Sequence, residues 1–202
     1  MQKDIFNIQT EQDFNKIALE VFKHQFTNNK VYRSFCDLLC VHPSDVKTVE
    51  EIPFLPIQFF KTHRVLSSKG NPVITFESSG TTGSRTSKHL VTDLSVYTKS
   101  YSKGFAHFYG DIEEYAVLAL LPNYLERKGS SLVYMVDDLI ASSKHEQSGF
   151  YLHNLEALAK KLTTLDESGQ KTLLIGVSFA LLDLIELHQF NLQNTIIMET
   201  GG

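Results

Sequence analysis

Thr75-Phe76-Glu77-Ser78-Ser79-Gly80-Thr81-Thr82-Gly83-Ser84 is the stretch that decides how this 202-residue chain folds and what it binds. It follows the β-prone residues 72–74, so its loop leaves the end of a predicted strand. Glycine lets the backbone come close to a ligand, and successive N–H groups beside hydroxyls form a concave anion site. A short run between ordered segments favours a phosphate-binding loop over a flexible Ser/Gly linker.

The loop is not the common nucleotide-binding loop, because Gly80 and Gly83 lack the Walker A spacing and no lysine follows directly. Two cations come shortly afterwards, at Arg85 and Lys88, and they can offset phosphate charge. The predicted phosphate-binding residues are therefore Ser78, Ser79, Gly80, Thr81, Thr82, Gly83, Arg85 and Lys88.

The composition is that of an ordinary globular protein, with 42% hydrophobic and 21% charged residues. With a net charge of −4, the protein as a whole does not attract nucleic acid, so any anion-binding site must be formed by a local group of residues. The longest apolar run, residues 115–121, is too short to span a bilayer. Two cysteines and no apolar signal segment predict a cytoplasmic protein. Cys36 and Cys40 are predicted to be buried small hydrophobic residues, because no further metal ligands stand at finger-like spacing.

Helical patterns occupy the beginning of the chain. Thr10 and Asp13 form a predicted capping box that opens a helix to about residue 26, and a second helix is expected over residues 30–41. A proline-bearing segment follows, and its apolar residues predict that it packs on the core. We therefore expect residues 1–64 to form a helical and Pro-rich segment that folds as one continuous unit with the nucleotide-binding region, residues 65–202.

Strands alternate with helices from residue 72 onward. The predicted strands cover residues 73–76, 115–121, 172–177 and 195–198, with a short return strand at Leu90 and Val91. Helices are expected near residues 92–108, 131–140, 154–164 and 180–189, and the aromatic residues of the first of these, Phe105 and Phe108 included, are predicted to lie in the core. This alternation predicts an α/β fold with a mostly parallel sheet flanked by helices and preceded by a helical segment.

Polar or glycine-bearing stretches follow four of the predicted strands, at residues 78–83, 123–128, 178–179 and 199–202. Ligands of open α/β sheets bind outside the carboxyl ends of the strands. We therefore expect the loop to lie beside the strand ends near Leu121, Val177 and Met198, where the four stretches would form one site.

Four motifs, in order along the chain, resemble known sequences. The S-S-G-T-T-G order of residues 78–83 resembles the phosphate-binding loop of the adenylate-forming superfamily, although Ser84-Arg85-Thr86 replaces its usual Pro-Lys-Gly. A narrower resemblance is to the LuxE-type acyl-protein synthetases. It rests on the loop and on three further stretches: Ile52-Pro53-Phe54-Leu55-Pro56 with Phe60-Lys61, Leu121-Pro122-Asn123-Tyr124-Leu125-Glu126-Arg127, and Glu199-Thr200-Gly201-Gly202.

The resemblance implies the N-terminal part of an adenylate-forming-enzyme-like large domain. It implies ATP and Mg²⁺, activation of a carboxylic acid, in this family a fatty acid, to an acyl-adenylate, and transfer of the acyl group to a protein thiol for delivery to a reductase partner. By the same resemblance, an adenine pocket would be lined by Glu199, Thr200, Gly201 and Gly202. An acyl pocket would involve Tyr124, Ser178 and Phe179, for which packing or surface roles stay open.

Two alternatives remain at this point: a CoA ligase related to the phenylacetate enzymes, and a non-catalytic nucleotide- or acyl-binding module. The family's acyl-accepting cysteine and mobile catalytic lysine match nothing in the chain, so neither Cys36 nor Cys40 is assigned that role. We therefore expect an N-terminal fragment that is catalytically silent by itself. An exposed edge at its last strand would favour self-association into a homo-oligomer.

Overall fold

The computed structural model describes residues 5–78, 85–121, 129–152 and 154–201. The chain divides into two compact units, residues 1–100 and residues 101–202, and the boundary falls within helix α4, Leu94–Tyr109. The division at residue 64 that we inferred from the sequence stays a prediction.

Two capped helices begin the first unit. In α1, Glu11–Asn28, the Thr10 hydroxyl accepts from the Asp13 N–H at 3.1 Å, and the Asp13 carboxylate accepts from the Thr10 N–H at 3.1 Å. In α2, Lys30–Leu38, the Asn29 side chain accepts from the N–H of Tyr32. Both helices confirm the sequence prediction. Their core contains Phe22, Phe26, Tyr32, Cys36 and Val46, against which Ile52 and Leu55 of the Pro-rich segment pack.

The burial predicted for the two cysteines is confirmed for Cys36 and wrong for Cys40. Cys36 is fully buried, whereas Cys40 is exposed. The helix that would have buried Cys40 ends at Leu38, and Cys40 has a left-handed backbone with φ of 56° in the turn that follows.

Beyond the Pro-rich segment, which contains a 3₁₀ turn at Val49–Glu51 and the short helix α3, Phe59–Thr62, comes a hairpin. Strand β1, Ile74–Glu77, pairs antiparallel with β2, Lys88–Val91, which confirms the return strand. Strands β1 and β2 form a two-stranded sheet of their own, apart from the parallel sheet. Only residues 78–87 separate the two strands, whereas parallel neighbours need a crossover of about a dozen residues or more.

The second unit contains the parallel sheet. Its strands are β3, Ala116–Leu120, β4, Gly149–Phe150, β5, Thr172–Gly176, and β6, Thr195–Glu199, in the order β4-β3-β5-β6. After a 3₁₀ turn at Ile112–Glu114, the crossovers use α5, Ser131–Ser143, α6, Leu155–Glu167, and α7, Ser178–Leu187. The mostly parallel α/β architecture with flanking helices is confirmed, and the short strand β4 is an addition to it.

Strands β3 and β5 are buried along their whole length, as expected of parallel strands covered on both faces. Their side chains alternate between two clusters. Leu118 and Leu174 belong to a cluster that includes residues of α5, α6 and α7, while Val117 and Leu173 contact Phe105 of α4. Phe108, three residues beyond Phe105, is 75% exposed, so its predicted place in the core is wrong.

Asp166, at the end of α6, anchors the segment that leads into β6. Its carboxylate is buried and accepts from the N–H groups of Gln193 and Asn194, at 2.9 and 2.8 Å, and from the Thr195 hydroxyl at 2.8 Å. Burial by itself would raise the pKa of this carboxyl. The three hydrogen bonds outweigh it and hold the pKa of Asp166 below its ordinary value.

We predict that Asp166→Asn lowers the free energy of unfolding by about 1–3 kcal/mol, because an amide cannot accept all three bonds and donors are left unpaired. Asp183→Asn on α7 is the matched control, since Asp183 is exposed. Because folding depresses the pKa of Asp166, its contribution is complete above its unfolded pKa and is lost as the pH falls through its folded pKa. Denaturant unfolding of Asp166→Asn and of the control Asp183→Asn is measured at neutral pH and near pH 3. The difference between their free energies of unfolding should be smaller at the acid pH. An equal difference at both pH values would contradict this.

Candidate functional site

The carboxyl ends of β3, β5 and β6 form one edge of the parallel sheet. The register aligns Leu120 with Gly176, and Gly176 with Glu199. Two backbone hydrogen bonds extend this alignment beyond the strands. The Val177 N–H donates to the Leu120 carbonyl at 3.4 Å, and the Thr200 N–H donates to the Gly176 carbonyl at 3.0 Å. The three strands expected to end together therefore do so. We refer to this region, residues 176–178 and 199–201 with Leu120, as the strand-end site.

Glu199 is the charged group of the strand-end site. Its Oε1 atom accepts a hydrogen bond from the Ser178 hydroxyl, at the start of α7, and one from the Gly201 N–H at 2.6 Å. These donors, the Ser178 hydroxyl foremost, lower the pKa of Glu199 and keep it ionised at neutral pH. The structure thus joins two residues that the sequence assigned to different pockets, Ser178 to the acyl pocket and Glu199 to the adenine pocket.

The two residues after Glu199 are fixed by the backbone. The Thr200 hydroxyl donates to the Gly176 carbonyl at 3.2 Å, in addition to the bond from its N–H. Gly201 has φ of +73°, a conformation that residues with a side chain rarely adopt. This segment therefore turns tightly around the carboxylate. Gly202 lies outside the described residues.

Gly176 is a site residue that the sequence reasoning missed. A Cβ atom at this position would lie 3.0 Å from two side-chain carbons of Leu181 and 3.2 Å from the Leu120 carbonyl oxygen. The glycine therefore allows α7 and β3 to approach the end of β5 closely. The signal was present in the sequence, because a glycine that ends an otherwise apolar strand often marks a close approach of backbone.

An apolar groove adjoins the strand-end site, between α6, α7 and β6. We call it the α7 groove; it has a volume of about 840 Å³ and its walls include Leu162, Leu174, Leu181, Leu182, Ile185 and Ile197. Leu182, Ile185 and Ile197 are each more than half exposed, so the groove is a broad open surface. Ser178 and Glu199 also line it. Phe179, the neighbour of Ser178, is 45% exposed.

In the first unit, the hairpin holds both ends of the Ser/Thr/Gly loop. The Ser78 N–H donates to the Ser87 carbonyl at 3.1 Å, and the Ser87 N–H donates to the Ser78 hydroxyl at 3.0 Å. Beside this closure, Glu77 accepts from the Thr86 hydroxyl and lies 3.7 Å from the Lys88 ammonium. Ser78, Lys88 and Arg85 are exposed, and an exposed ion pair exchanges readily with other partners.

Several predicted site residues lie outside the described residues: Ser79, Gly80, Thr81, Thr82, Gly83 and Tyr124. The expected position of the loop beside the strand ends near Leu121, Val177 and Met198 therefore stays a prediction. Within the described ranges, no group of three or more His, Cys, Asp or Glu side chains is placed to hold a metal ion. Among the helices of those same ranges, none combines the length and apolar character needed to cross a membrane.

Comparison with known proteins identifies the family. The sequence model of the acyl-protein synthetase family LuxE matches residues 4–118, more than half of the chain. The chain belongs to this family. The match contains the Pro-rich segment, the whole hairpin and the first three residues of β3, so the loop lies inside the part that defines membership.

A relative with a described activity matches over a shorter stretch. The long-chain-fatty-acid–luciferin-component ligase of Photorhabdus luminescens is 33% identical over 69 residues, which are 34% of this chain and 59% of the relative. The chain thus matches less than two thirds of that relative's length. No solved structure matches the present chain.

We predict that Ser178→Ala raises the pKa of Glu199 towards its ordinary value, because the Ser178 hydroxyl is the first cause of the depression. Ser178→Thr retains a hydroxyl and is expected to leave the pKa low. An NMR titration of the Glu199 side-chain carboxyl compares the two variants. Equal pKa values in Ser178→Ala and Ser178→Thr would show that the hydroxyl does not hold the carboxylate.

We also predict that Gly176→Ala lowers the free energy of unfolding by about 1–3 kcal/mol, since the new methyl group must displace Leu181 and has little room beside the Leu120 carbonyl. Gly149→Ala is the matched control: Gly149 lies in β4 of the same sheet and has no atom within 4 Å of a built Cβ. Thermal or denaturant unfolding measures both. A similar loss in the two variants would contradict the steric argument.

Proposed function

We propose that this protein uses ATP to activate a fatty acid as an acyl-adenylate and then passes the acyl group to a protein thiol. The observation that carries the proposal is the Ser/Thr/Gly run whose two ends are tied by Ser78 and Ser87, within the part of the chain that matches the LuxE family. The name of the Photorhabdus luminescens relative, a ligase for a long-chain fatty acid, supports the choice of substrate.

The loop would hold the triphosphate. Ser78, Ser79, Thr81 and Thr82 supply hydroxyl donors, and Gly80 and Gly83 let backbone N–H groups approach the phosphate oxygens. The closed hairpin base lowers the number of conformations that the loop loses on binding, which favours affinity. Arg85 and Lys88 would offset phosphate charge, with Lys88 exchanging Glu77 for a more highly charged partner.

Magnesium would accompany ATP. The ion prefers octahedral oxygen ligands and is usually held by substrate phosphates, water and one or two carboxylates. The triphosphate would therefore provide much of its coordination, so the donor set of this chain fits ATP with Mg²⁺ without a dedicated metal cage. The magnesium ion would offset part of the negative charge of the phosphates during the reaction.

The reaction would occur in two displacements. A fatty-acid carboxylate oxygen attacks the α-phosphorus, the bond from that phosphorus to the α,β-bridging oxygen breaks, and pyrophosphate leaves with that oxygen and the electron pair of the bond. A thiolate then attacks the acyl carbonyl carbon, and AMP leaves with the electron pair of the broken bond. Positioning and charge stabilisation would supply most of the rate enhancement in both steps.

We assign the strand-end site to the nucleotide base, with Glu199, Thr200 and Gly201 as its lining and Gly202 as their continuation. Ser178 joins this assignment, because it donates to Glu199. The acyl-pocket role of Tyr124 and Phe179 stays a prediction from the family resemblance.

Cys36 does not fit the role of the acceptor thiol. Burial raises the pKa of the Cys36 thiol, which keeps it protonated and unreactive. A reductase that receives the acyl group is the partner that this family membership suggests.

The test is fatty-acid-dependent exchange of labelled pyrophosphate into ATP by the full-length natural protein, with tetradecanoate as substrate. We predict that Thr81→Ala with Thr82→Ala slows the exchange by about tenfold to a hundredfold for each lost hydroxyl bond to phosphate. Thr27→Ala is the control, because Thr27 is an exposed threonine of α1.

Two results would overturn the proposal. The first is an absence of exchange with every fatty acid tested. The second is wild-type exchange by the double variant, which would make the loop a structural element.

A further inference from the structure

The first unit contains a cavity of about 820 Å³ that is widely open to solvent, and every described residue that lines it lies between Ile5 and Thr92. We call it the α1 cavity. Its apolar walls come from α1, from the Pro-rich segment and from β2: Ala18, Val21, Phe22, Phe54, Leu55 and Leu90. Phe54 and Phe14 are 74% and 49% exposed and lie at the mouth of the cavity. Phe22 is buried. The volume lies within the range of sites for small organic ligands.

The polar side chains of the cavity wall are largely bonded to protein. The Tyr32 hydroxyl donates to the Pro53 carbonyl at 2.7 Å, and the Ser67 hydroxyl donates to the side-chain oxygen of Gln25. The Asn29 amide donates to the same oxygen of Gln25 at 3.3 Å. A ligand inside therefore meets mainly hydrocarbon and aromatic surface, which suits an acyl chain better than a polar molecule.

The α1 cavity and the α7 groove differ in the charge of the side chains that line them. No Asp or Glu is among the described residues that line the cavity, and its ionisable side chains are His24, Tyr32 and His89. The α7 groove is lined by Glu199, which is ionised at neutral pH. A fatty-acid carboxylate would be repelled by Glu199, whereas the histidines of the cavity place no negative charge near it.

We propose that the α1 cavity holds the hydrocarbon chain of an unbranched fatty acid. This inference rests on the proposed function, because it names the place of the acyl chain in the same reaction. His89 and Leu90 belong to β2, the strand that follows the loop in the hairpin. A chain inserted into the cavity with its carboxyl group towards β2 therefore has its reactive end on the element that carries the phosphate-binding residues.

The cavity also gives a physical role to the Ile52-Pro53-Phe54-Leu55-Pro56 stretch. Ile52 and Leu55 pack against the core of α1 and α2, while the Pro53 carbonyl accepts from Tyr32. Four of its residues, Ile52 to Leu55, line the cavity. The two prolines keep this wall out of helical structure.

The experiment measures fatty-acid binding to the full-length natural protein without ATP, by displacement of the fluorescent probe cis-parinaric acid. Octanoate, decanoate, dodecanoate and tetradecanoate are compared below their micelle concentrations. Each buried methylene is expected to strengthen binding by up to about fourfold until the cavity is full. Ala18→Phe reduces the free volume, so we expect tetradecanoate to bind at least tenfold more weakly while octanoate changes little.

Leu182→Phe is the matched control, because it adds bulk to the α7 groove. Ala18→Leu adds less volume than phenylalanine and should give an intermediate loss, which keeps the test valid if Ala18→Phe does not fold. Equal chain-length profiles in wild type and both Ala18 variants would overturn the inference. So would a loss of long-chain binding in Leu182→Phe alone.

Failure here is distinguishable from failure of the proposed function. Pyrophosphate exchange that persists while the Ala18 variants keep the wild-type chain-length profile would leave activation standing and remove the α1 cavity as its acyl site. Chain-length-dependent binding that Ala18→Phe abolishes, in a protein without exchange, would keep the cavity as a fatty-acid site and refute the activation.

Discussion

The hydrogen bonding of β5 to a parallel neighbour on each side is the constraint on which the second unit depends. Its five residues pair with β3 and with β6 in one continuous register, and no residue of β5 is exposed. Because every backbone group of a buried strand needs a partner, this register is strongly specified. It brings Gly176 and Glu199 to the same edge. The chemistry of the strand-end site is therefore a consequence of strand pairing.

Much of this architecture could be predicted from local sequence signals. The capping box at Thr10, the apolar runs at β3 and β5, and the alternation of strands with helices each indicate a structure from neighbouring residues alone. The family resemblance, drawn from motifs such as residues 52–56 and 78–83, is confirmed by the LuxE match. These predictions are correct because the residues that decide each feature lie close together in the sequence.

The features that could not be predicted depend on tertiary contacts. The bond from Ser178 to Glu199 joins residues 21 positions apart and follows from the register of β6 on β5. The sequence did not indicate that β1 lies in a sheet with β2 alone, because a strand-like run of residues does not specify which strand it pairs with. The exposure of Phe108 could not be predicted either. Apolar periodicity indicates which face of a helix is apolar, but it does not show how much of that face the neighbouring elements cover.

The closure between Ser78 and Ser87 has a consequence for how this family can diversify. When the two ends of a loop are held together, the entropy cost of closing the loop grows only slowly with its length. Substitutions and insertions between the two serines can therefore accumulate with small effects on folding. The hairpin base can therefore stay constant while the sequence between Ser78 and Ser87 varies within the family.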